Sequence, residues 1–333
     1  MTITAASAND GRNLLLRRTL SVNDRAIVAS LQEDGRRVFV SIARDIGVTE
    51  KTIRNRVRYS LDNQVIQIVA ITSPTALGYH SGALLGIVTD PAFAVSGIAR
   101  QIADIPEVDY VAVTAGRYAL LVEILAHDMS SLMRILETRV SKIEGLSSVE
   151  TFPYFSIHYQ QPRFSTFADR PITSAGVRAI EMNMADKGIM SMLTTDGRMP
   201  VNEVAERLGM SETQVRTRIR ALIESGRMKV MAIINPMSLR FEAISWVALT
   251  VAAGHSIEQL ADALTELGHL SYVVICSGRF DIFVELVCAS NDELFDVLDS
   301  KVRTLPGVDE VETFLYLDLH YKRLGPVTVE AGS

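Results

Sequence analysis

The hydrophobic positions of this chain follow two periods in turn, first helical and then strand-like, and the whole pattern occurs twice. In the first half, Ile53, Val57 and Leu61 form the apolar stripe of a helix that begins after Thr49, a residue suited to an N-cap. A shorter helical stripe precedes it and ends at Gly47. A short helix, a glycine-containing turn and a capped helix predict a helix-turn-helix domain.

A strand-like region follows in each half. It starts with an apolar run, VIQIVAI in the first half and MKVMAII in the second, that predicts a small strand or a wing. The remaining elements alternate as βαββαβ, the order of a ferredoxin-like unit with one antiparallel sheet and two helices on one face. Leu120 and Leu121 point to opposite faces of one strand, yet both are apolar. Both faces of the sheet therefore need cover, and we expect such units to pair through their sheets.

The second half repeats the first at a fixed spacing. Residues 31–71 align without a gap on residues 193–233 at a shift of 162 positions, and the same shift places Gly116-Arg117 on Gly278-Arg279. Solenoid repeats are about 20–50 residues long, so each copy here should be a folding unit of its own. We predict an α+β protein with two tandem copies of a winged helix-turn-helix domain followed by a ferredoxin-like βαββαβ domain. The predicted boundaries are a tail at 1–19, helix-turn-helix domain 1 at 20–66, ferredoxin-like domain 1 at 67–159, a linker at 160–172, helix-turn-helix domain 2 at 173–230, ferredoxin-like domain 2 at 231–323 and a tail at 324–333.

Composition and charge agree with this division. With 48% hydrophobic and 22% charged residues, the chain has the composition of a globular protein with a large core. Its net charge of −6 hides an asymmetry, because residues 1–66 carry a net +4 and residues 173–230 a net +2. A basic start and an acidic remainder in each copy are typical of a small DNA-binding head on a body with another task.

No segment has the features of a membrane span or an export signal. No stretch approaches about 20 consecutive apolar residues, and the start of the chain has no basic region followed by an apolar run. We therefore expect no membrane partner and a cytoplasmic location. The two cysteines, Cys276 and Cys288, lie in strand-like runs and are interpreted as buried reduced thiols, with no metal site and no cofactor expected.

The cap and the outer face of the third helix carry the candidate DNA-binding residues of each copy. Because Ile53 and Val57 face the core, Lys51, Arg54, Asn55 and Arg58 are expected to project away from it, and so are Arg216, Arg218 and Arg220 in the second copy. Long cations suit phosphates, and short polar side chains near the helix N-terminus suit base edges in the major groove. The candidates are Thr49, Lys51, Thr52, Arg54, Asn55, Arg56 and Arg58 in the first copy, and Ser211, Thr213, Gln214, Arg216, Thr217, Arg218 and Arg220 in the second.

These motifs together resemble those of the Lrp/AsnC (feast/famine) family of bacterial transcription regulators. The second copy has the family pattern at Asp196-Gly197-Arg198, Ala205, Gly209, Ser211, Arg218 and Leu222-Ile223-Glu224-Ser225-Gly226. The first copy matches it at Asp34-Gly35-Arg36, Ala43, Gly47, Thr49 and Arg56. There, however, Ser60 and Gln64 replace the usual leucine and glycine, which predicts a weaker apolar seam and C-cap in the first head.

The resemblance also implies that each βαββαβ domain binds an effector. The family's Gly-x-x-Asp signature appears as Gly278-Arg279-Phe280-Asp281, whereas the first copy ends this motif with Ala119. An aspartate there would accept hydrogen bonds from the ammonium group of an amino acid; the alternative is that Asp281 only orders its hairpin. The candidate effector-binding residues are Gly278, Arg279, Phe280, Asp281, Glu285 and Thr313, with a weaker set of Gly116, Arg117, Tyr118, Glu123 and Thr151.

The resemblance implies a sequence-specific DNA-binding regulator without enzymatic activity. Its partners would be a double-stranded DNA operator and an amino acid or small metabolite, bound at the effector-domain interface, that modulates DNA affinity or assembly. A homo-oligomer, a dimer or tetramer of chains, is expected. Two alternatives stay open: a partner-binding protein without DNA contact, and an enzyme of the siroheme decarboxylase type on the same fold. The decarboxylase segments resembling His-Cys-Tyr-Arg and Trp-Pro-Tyr-Asn do not occur in the corresponding runs, TAGRYALLVEIL and CSGRFDIFVEL.

Overall fold

The two halves of the chain contain the same elements in the same order. The structure, a computed structural model, describes residues 21–63, 65–71, 78–160, 183–234, 243–267 and 269–321. The predicted tails, the predicted linker beyond residue 160 and Gln64 lie outside these residues. The first half runs α1 (Val22–Glu33), α2 (Phe39–Ile46), α3 (Glu50–Asp62), β1 (Ile66–Ile71), β2 (Ser81–Thr89), α4 (Val95–Ala103), β3 (Val108–Ala115), β4 (Leu120–Ala126), α5 (Met129–Thr138) and β5 (Leu146–Gln160). The second half runs α6 (Met184–Thr195), α7 (Val201–Leu208), α8 (Glu212–Glu224), β6 (Lys229–Ile234), β7 (Ala243–Val251), α9 (Ile257–Thr265), β8 (Leu270–Cys276), β9 (Ile282–Cys288), α10 (Asn291–Asp296) and β10 (Val308–Tyr321).

Two kinds of structural part follow from this order. We call the segment from α1 to β1 the first head and that from α6 to β6 the second head. The segments from β2 to β5 and from β7 to β10 are the first and second barrel units. A 3-10 turn, Val140–Lys142, follows α5, and a π-helical turn, Val297–Val302, continues α10.

Each head is a helix-turn-helix domain because its turn carries the residues that such a turn needs. Gly47 ends α2 and Gly209 ends α7, with φ angles of 76° and 62° that favour glycine. Thr49 and Ser211 then cap α3 and α8 through their side-chain oxygens. The predicted short helix, glycine turn and capped helix are therefore present in both halves.

The apolar seam of α3 differs from the prediction at its last position. Leu61 is 38% exposed, and Ser60, only 8% exposed, takes the inward position that Leu222 takes in α8. The prediction for Leu61 was wrong. Ser60 lies seven residues after Ile53, which is nearly two helical turns and returns it to the core face, whereas Leu61 lies one residue further and is rotated away from the core. The first head thus buries a hydroxyl where the second buries a leucine.

Strands β1 and β6 join the two heads. They pair with each other in antiparallel register, from Ile66 opposite Ile234 to Ile71 opposite Lys229. The predicted small strand is confirmed, and its partner is the strand of the other head. Buried apolar residues of both heads form one continuous cluster around this two-stranded ribbon. The two heads are therefore packed as a single body.

The two barrel units close into one eight-stranded barrel with the order β10-β3-β4-β2-β5-β8-β9-β7. Within each unit the strands have the ferredoxin-like arrangement, and between units the last strand of one pairs with the second strand of the other. The predicted pairing of the units through their sheets is confirmed, and it occurs within one chain. Every strand of the barrel thereby acquires two neighbours, which removes the sheet edges.

Both faces of the barrel sheet are covered, as expected for strands with apolar residues on both faces. Alternate residues such as Leu120 pack beneath the helices on the outside, and the others, such as Leu121, face the interior. Aromatic side chains fill that interior: Tyr110, Tyr118, Phe152, Trp246, Tyr272, Phe280, Phe283 and Phe314. A barrel packed in this way is a core and not a channel.

Among the residues that the structure describes, no helix combines the length and the apolar character needed to cross a bilayer. Cys276 and Cys288 are both buried and free.

Candidate functional site

Helices α3 and α8 present a polar, cationic face to solvent. Three cations lie on the exposed face of α3 and two on that of α8. The exposed candidates are Lys51, Arg54, Asn55 and Arg58 on α3, and Thr213, Gln214, Arg216, Thr217 and Arg220 on α8. The two faces occupy equivalent positions of the repeat but differ in side chains, so any bases they contact will differ.

Several candidates serve first to begin their helix. Thr49 accepts from the backbone N–H of Thr52 at 3.2 Å, and Ser211 accepts from that of Gln214 at 3.3 Å. Gln214 Oε1 in turn accepts from the Ser211 N–H at 2.9 Å, which completes a capping box. These contacts fix the start of each helix and leave its polar first turn at the surface.

Arg56 and Arg218, both candidate DNA-binding residues, make contacts within their own heads. The Arg56 guanidinium donates to Asp24 Oδ1 at 2.6 Å and to Ser21 Oγ at 3.0 Å. Arg218 makes the equivalent contact with Asp186 Oδ1 at 2.9 Å. Each arginine therefore ties its helix to the N-terminus of the first helix in its own head, and its first effect is on head stability.

Asp24 is electrostatically adapted to this contact. Burial alone would raise the pKa of Asp24, but hydrogen bonds from Ser21 and Arg56 outweigh burial and hold the pKa below its ordinary value of 3.8. The carboxylate is consequently ionised in the folded head at neutral pH.

The remaining arginines on the two faces differ in availability. Arg54 pairs with Glu50 and Arg216 with Glu212, each one helical turn away. In the part of the chain that the structure describes, Arg58 and its counterpart Arg220 have no ion pair or side-chain hydrogen bond. These two arginines are therefore available for an external anion.

The Asp-Gly-Arg motif, noted in the sequence only as a family pattern, lies where the heads meet. Gly35 N–H donates to the carbonyl of Val230, and Gly197 N–H to that of Ile68, both at 2.8 Å. Each motif therefore binds the strand of the opposite head. A Cβ on either glycine would lie within 2.8 Å of backbone atoms of that strand, which explains the glycine.

The arginines of the same motif make a reciprocal contact. The Arg36 guanidinium donates to the carbonyls of Gly197 and Met199 at 2.8 and 3.1 Å. Arg198 donates to the carbonyls of Gly35 and Arg37 at 2.8 and 3.3 Å. The exact repetition of the motif was the only sign in the sequence of this pseudo-twofold joint.

In the barrel, the structure brings each candidate hairpin to the other unit. Gly278, with φ of 130°, packs on Phe152, and Gly116, with φ of 134°, packs on Phe314. Thr313 therefore lies beside the hairpin of Gly116, and Thr151 lies beside that of Gly278. The prediction that grouped Thr313 with Gly278 and Thr151 with Gly116 was wrong, because each hairpin packs on the other unit.

Two glutamates that sequence reasoning missed complete these hairpin sites. Arg279 Nε lies 3.1 Å from Glu150 Oε1, and Arg117 Nε lies 3.0 Å from Glu312 Oε1. Tyr118 also donates to Glu150 at 2.6 Å, and burial together with this bond raises the pKa of Tyr118. Phe280 is its counterpart and has no hydroxyl. The sequence did offer one signal of these sites, because Glu150 and Glu312 occupy equivalent positions of the repeat, 162 residues apart.

Asp281 has a structural contact of its own. Its Oδ2 accepts from the backbone N–H of Val251 at 2.8 Å, where β7 ends beside the hairpin. The equivalent Ala119 lacks a carboxylate for such a bond. Asp281 thus orders its hairpin through one oxygen, the alternative considered for it from the sequence.

Glu123 and Glu285 lie away from the hairpins, inside the barrel. Each is 1% exposed. Glu285 accepts hydrogen bonds from Ser271 and Tyr316, and Glu123 accepts from Tyr154 at 3.0 Å. Burial, and then the charge of Glu123, raise the pKa of Tyr154 well above its ordinary value. Alternation along each strand predicts which face of the sheet carries these acids. Only closure of the barrel turns that face into the interior.

Comparisons with known proteins match these parts individually. Residues 22–58 and 182–223 match the AsnC-type helix-turn-helix domain, and residues 83–164 match the Lrp/AsnC ligand binding domain. Residues 245–324 match the PF0864 C-terminal dimeric alpha+beta barrel domain.

Related proteins correspond to one half of this chain. An uncharacterized HTH-type transcriptional regulator of Pyrococcus abyssi is 35% identical over 129 residues, which are 38% of this chain and 81% of that protein. The HTH-type transcriptional regulator FL11 of Pyrococcus horikoshii is 30% identical over 142 residues, 42% of this chain and 93% of that protein.

Among solved structures, the similarity can extend over nearly the whole chain. The siroheme decarboxylase NirDL superposes with a TM-score of 0.61 at 15% identity, covering 91% of this chain and 94% of that one. At this identity the likeness shows the shared two-copy fold and no more. The helix-turn-helix and ligand-binding matches, together with the regulators that are at least 30% identical, establish that the chain is a tandem member of the Lrp/AsnC family of DNA-binding transcriptional regulators.

Proposed function

We propose that one chain reads two non-identical half-sites of a double-stranded DNA operator. The observation that carries this proposal is the joint between the heads, where the β1–β6 ribbon and the reciprocal Asp-Gly-Arg contacts hold α3 and α8 in one body. Family relatives that span one half of this chain would need two chains for the same arrangement. Two recognition helices held as a pair suit half-sites about one helical turn apart.

The two half-sites should differ because the two faces differ. Asn55 on α3 suits an adenine edge, whereas its counterpart on α8 is Thr217. Lys51 likewise corresponds to Thr213. The first head would therefore contribute more phosphate contacts and the second more short polar contacts. We propose that the chain binds such an operator in the cytoplasm.

We further propose that a free amino acid or similar small metabolite binds at the hairpin of Gly278 to Asp281. The barrel interior is filled by aromatic side chains, so a ligand would lie outside it, near Thr151 and the Arg279–Glu150 pair. One Asp281 oxygen accepts from Val251, and the other would accept from the ligand's ammonium group. The first unit has Ala119 in this place, so the second hairpin is the proposed effector site.

The barrel surface supports assembly of chains into a dimer or tetramer. Phe155 is 73% exposed and its counterpart Leu317 is 62% exposed. Met133 and its counterpart Phe295 are 48% and 69% exposed. Apolar residues exposed at equivalent positions of both units favour a symmetric contact between copies. We propose no catalytic role, in agreement with relatives named as transcriptional regulators.

Replacing Asp281 tests the effector site. In a thermal-shift screen of free amino acids and related metabolites, a ligand at about 100 times its Kd stabilises the parent by roughly 2.7 kcal/mol. Asp281→Ala should reduce this stabilisation to near zero and retain DNA binding, since the first unit already folds with alanine there. An unchanged response in Asp281→Ala would show that the assigned pocket is wrong.

Asp281→Asn is the matched control. Its side-chain carbonyl still accepts from the Val251 N–H, but the negative charge is gone. Loss of the response in this variant would assign the effect to the charge, whereas a full response would leave Asp281 with hairpin ordering alone. In the reverse direction, Ala119→Asp should give the first hairpin a measurable response.

A further inference from the structure

Three potential metal ligands lie close together at the end of β9, in the second barrel unit. His269 directly precedes β8, Cys288 is the last residue of β9, and Glu293 lies in the first turn of α10. One donor atom from each, a ring nitrogen, a sulfur and a carboxylate oxygen, lies within 4.8 Å of the others. The main chain fixes this arrangement, because Val287 N–H donates to the His269 carbonyl at 2.9 Å.

The carboxylate is oriented towards the imidazole. Glu293 Oε2 accepts from the backbone N–H of Ala289, which leaves Oε1 at 3.8 Å from His269 Nδ1. This separation is longer than a hydrogen bond. Nitrogen and oxygen ligands of one tetrahedral zinc ion, with bonds of about 2.0–2.2 Å, lie roughly 3.3–3.6 Å apart, so a shift of a few tenths of an ångström would bring both onto one ion.

The ligand atoms of Cys288 and Glu293 lie within 4.8 Å of each other, so one ion could contact both. A divalent ion would stabilise both the thiolate and the carboxylate, and the displaced thiol proton would pass to solvent.

This cluster belongs to the second unit alone. The equivalent positions in the first unit are Glu107, Ala126 and Ser131, which supply neither thiol nor imidazole. Glu107 is instead bound to Arg139. A shared structural need of the βαββαβ unit therefore does not explain the cluster.

We propose that His269, Cys288 and Glu293 bind one Zn²⁺ ion, with the fourth position open to solvent. Nitrogen, thiolate and carboxylate donors suit zinc far better than magnesium or calcium. The side chains of His269 and Glu293 are 26% and 38% exposed, which gives the ion a route from the surface, while Cys288 lies at the inner end. The bound ion would clamp the turn between β9 and α10 to the start of β8. This revises the expectation, drawn from the sequence, that neither cysteine serves a metal.

The test is a titration of the metal-free full-length chain with Co²⁺ and then with Zn²⁺. We expect one ion per chain and a thiolate-to-cobalt charge-transfer band in the near ultraviolet, which zinc removes. Calorimetry near pH 7 should record the release of about one proton from the cysteine thiol per zinc ion. Cys288→Ser should lose the band.

Two further variants make the outcome decisive even where Cys288→Ser is unstable. Cys276→Ser is the matched control, because Cys276 is also buried but its sulfur donates to the Phe280 carbonyl; this variant should keep the band and the affinity. Glu293→Gln preserves an acceptor for Ala289 and should weaken zinc binding at least about tenfold. Absence of the charge-transfer band in the parent, or equal zinc affinity in the parent and in Glu293→Gln, would overturn the proposal.

Discussion

Alanine in place of both Gly35 and Gly197 should separate the two heads and leave the barrel folded. A Cβ on Gly35 would lie 2.8 Å from the Met231 Cα, and one on Gly197 would lie 2.6 Å from the Val69 Cα. Backbone atoms of a paired strand cannot rotate away, so each substitution should destabilise the joint by about 1–3 kcal/mol. Amide hydrogen exchange in β1 and β6 should accelerate at least about tenfold, while exchange in the barrel strands stays unchanged.

The same double variant should lose affinity for a duplex with two half-sites. Without the joint, the second head is no longer positioned when the first head binds, and we expect a loss on the order of 10²-fold. Gly97→Ala is the control, because a Cβ there meets nothing within 4 Å on the surface of α4. Unchanged exchange in β1 and β6 of the double variant would show that the heads are not held by this joint.

Removing Arg58 and Arg220 together should reduce the salt dependence of DNA binding. Each phosphate contact contributes about 0.9 to the slope of log affinity against log salt concentration, so the slope should fall by about 1.8. Fluorescence anisotropy with any duplex, measured over a range of salt concentrations, gives this slope. Affinity should fall similarly on all sequences, since phosphate contacts carry no base information.

Two controls make this result specific. Arg134→Ala with Arg303→Ala removes the same charge from exposed positions of the barrel units and should leave the slope unchanged. Arg56→Ala with Arg218→Ala should instead destabilise the heads, by less than about 1 kcal/mol per partly exposed pair. Since the pKa of folded Asp24 lies below 3.8, the Arg56 contribution exists above that pH and is lost in acid. An unchanged slope in the Arg58 and Arg220 variant would remove these residues from the DNA interface.

The local elements could be predicted from the sequence because their causes are local. Helical spacing around Ile53 and Val57, together with the Thr49 cap, is sufficient for the third helix. Alternation in the strands is sufficient for βαββαβ, and apolar residues on both faces, such as Leu120 and Leu121, are sufficient for the pairing of the units.

Contacts between distant segments could not be predicted in this way. The run that forms β1 is equally compatible with a wing and with pairing to β6, and only the packed heads distinguish them. Arg56 lies at the border of the core face of its helix by rotation alone, but Asp24 comes within its reach only once α1 is placed. From its spacing along the strand, Glu285 could equally be a surface acid, and its burial follows only from closure of the barrel. The difference between the two hairpins, in contrast, was visible at Ala119 and Asp281.

The most direct test of the central claim is a selection of bound duplexes from a random-sequence pool by the full-length chain. We predict an enriched motif with two related but non-identical half-sites, centred about 10–10.5 base pairs or a multiple of this distance apart. Enrichment of one half-site alone, or of no sequence at all, would contradict the claim that each chain presents its two heads as a single DNA-reading pair.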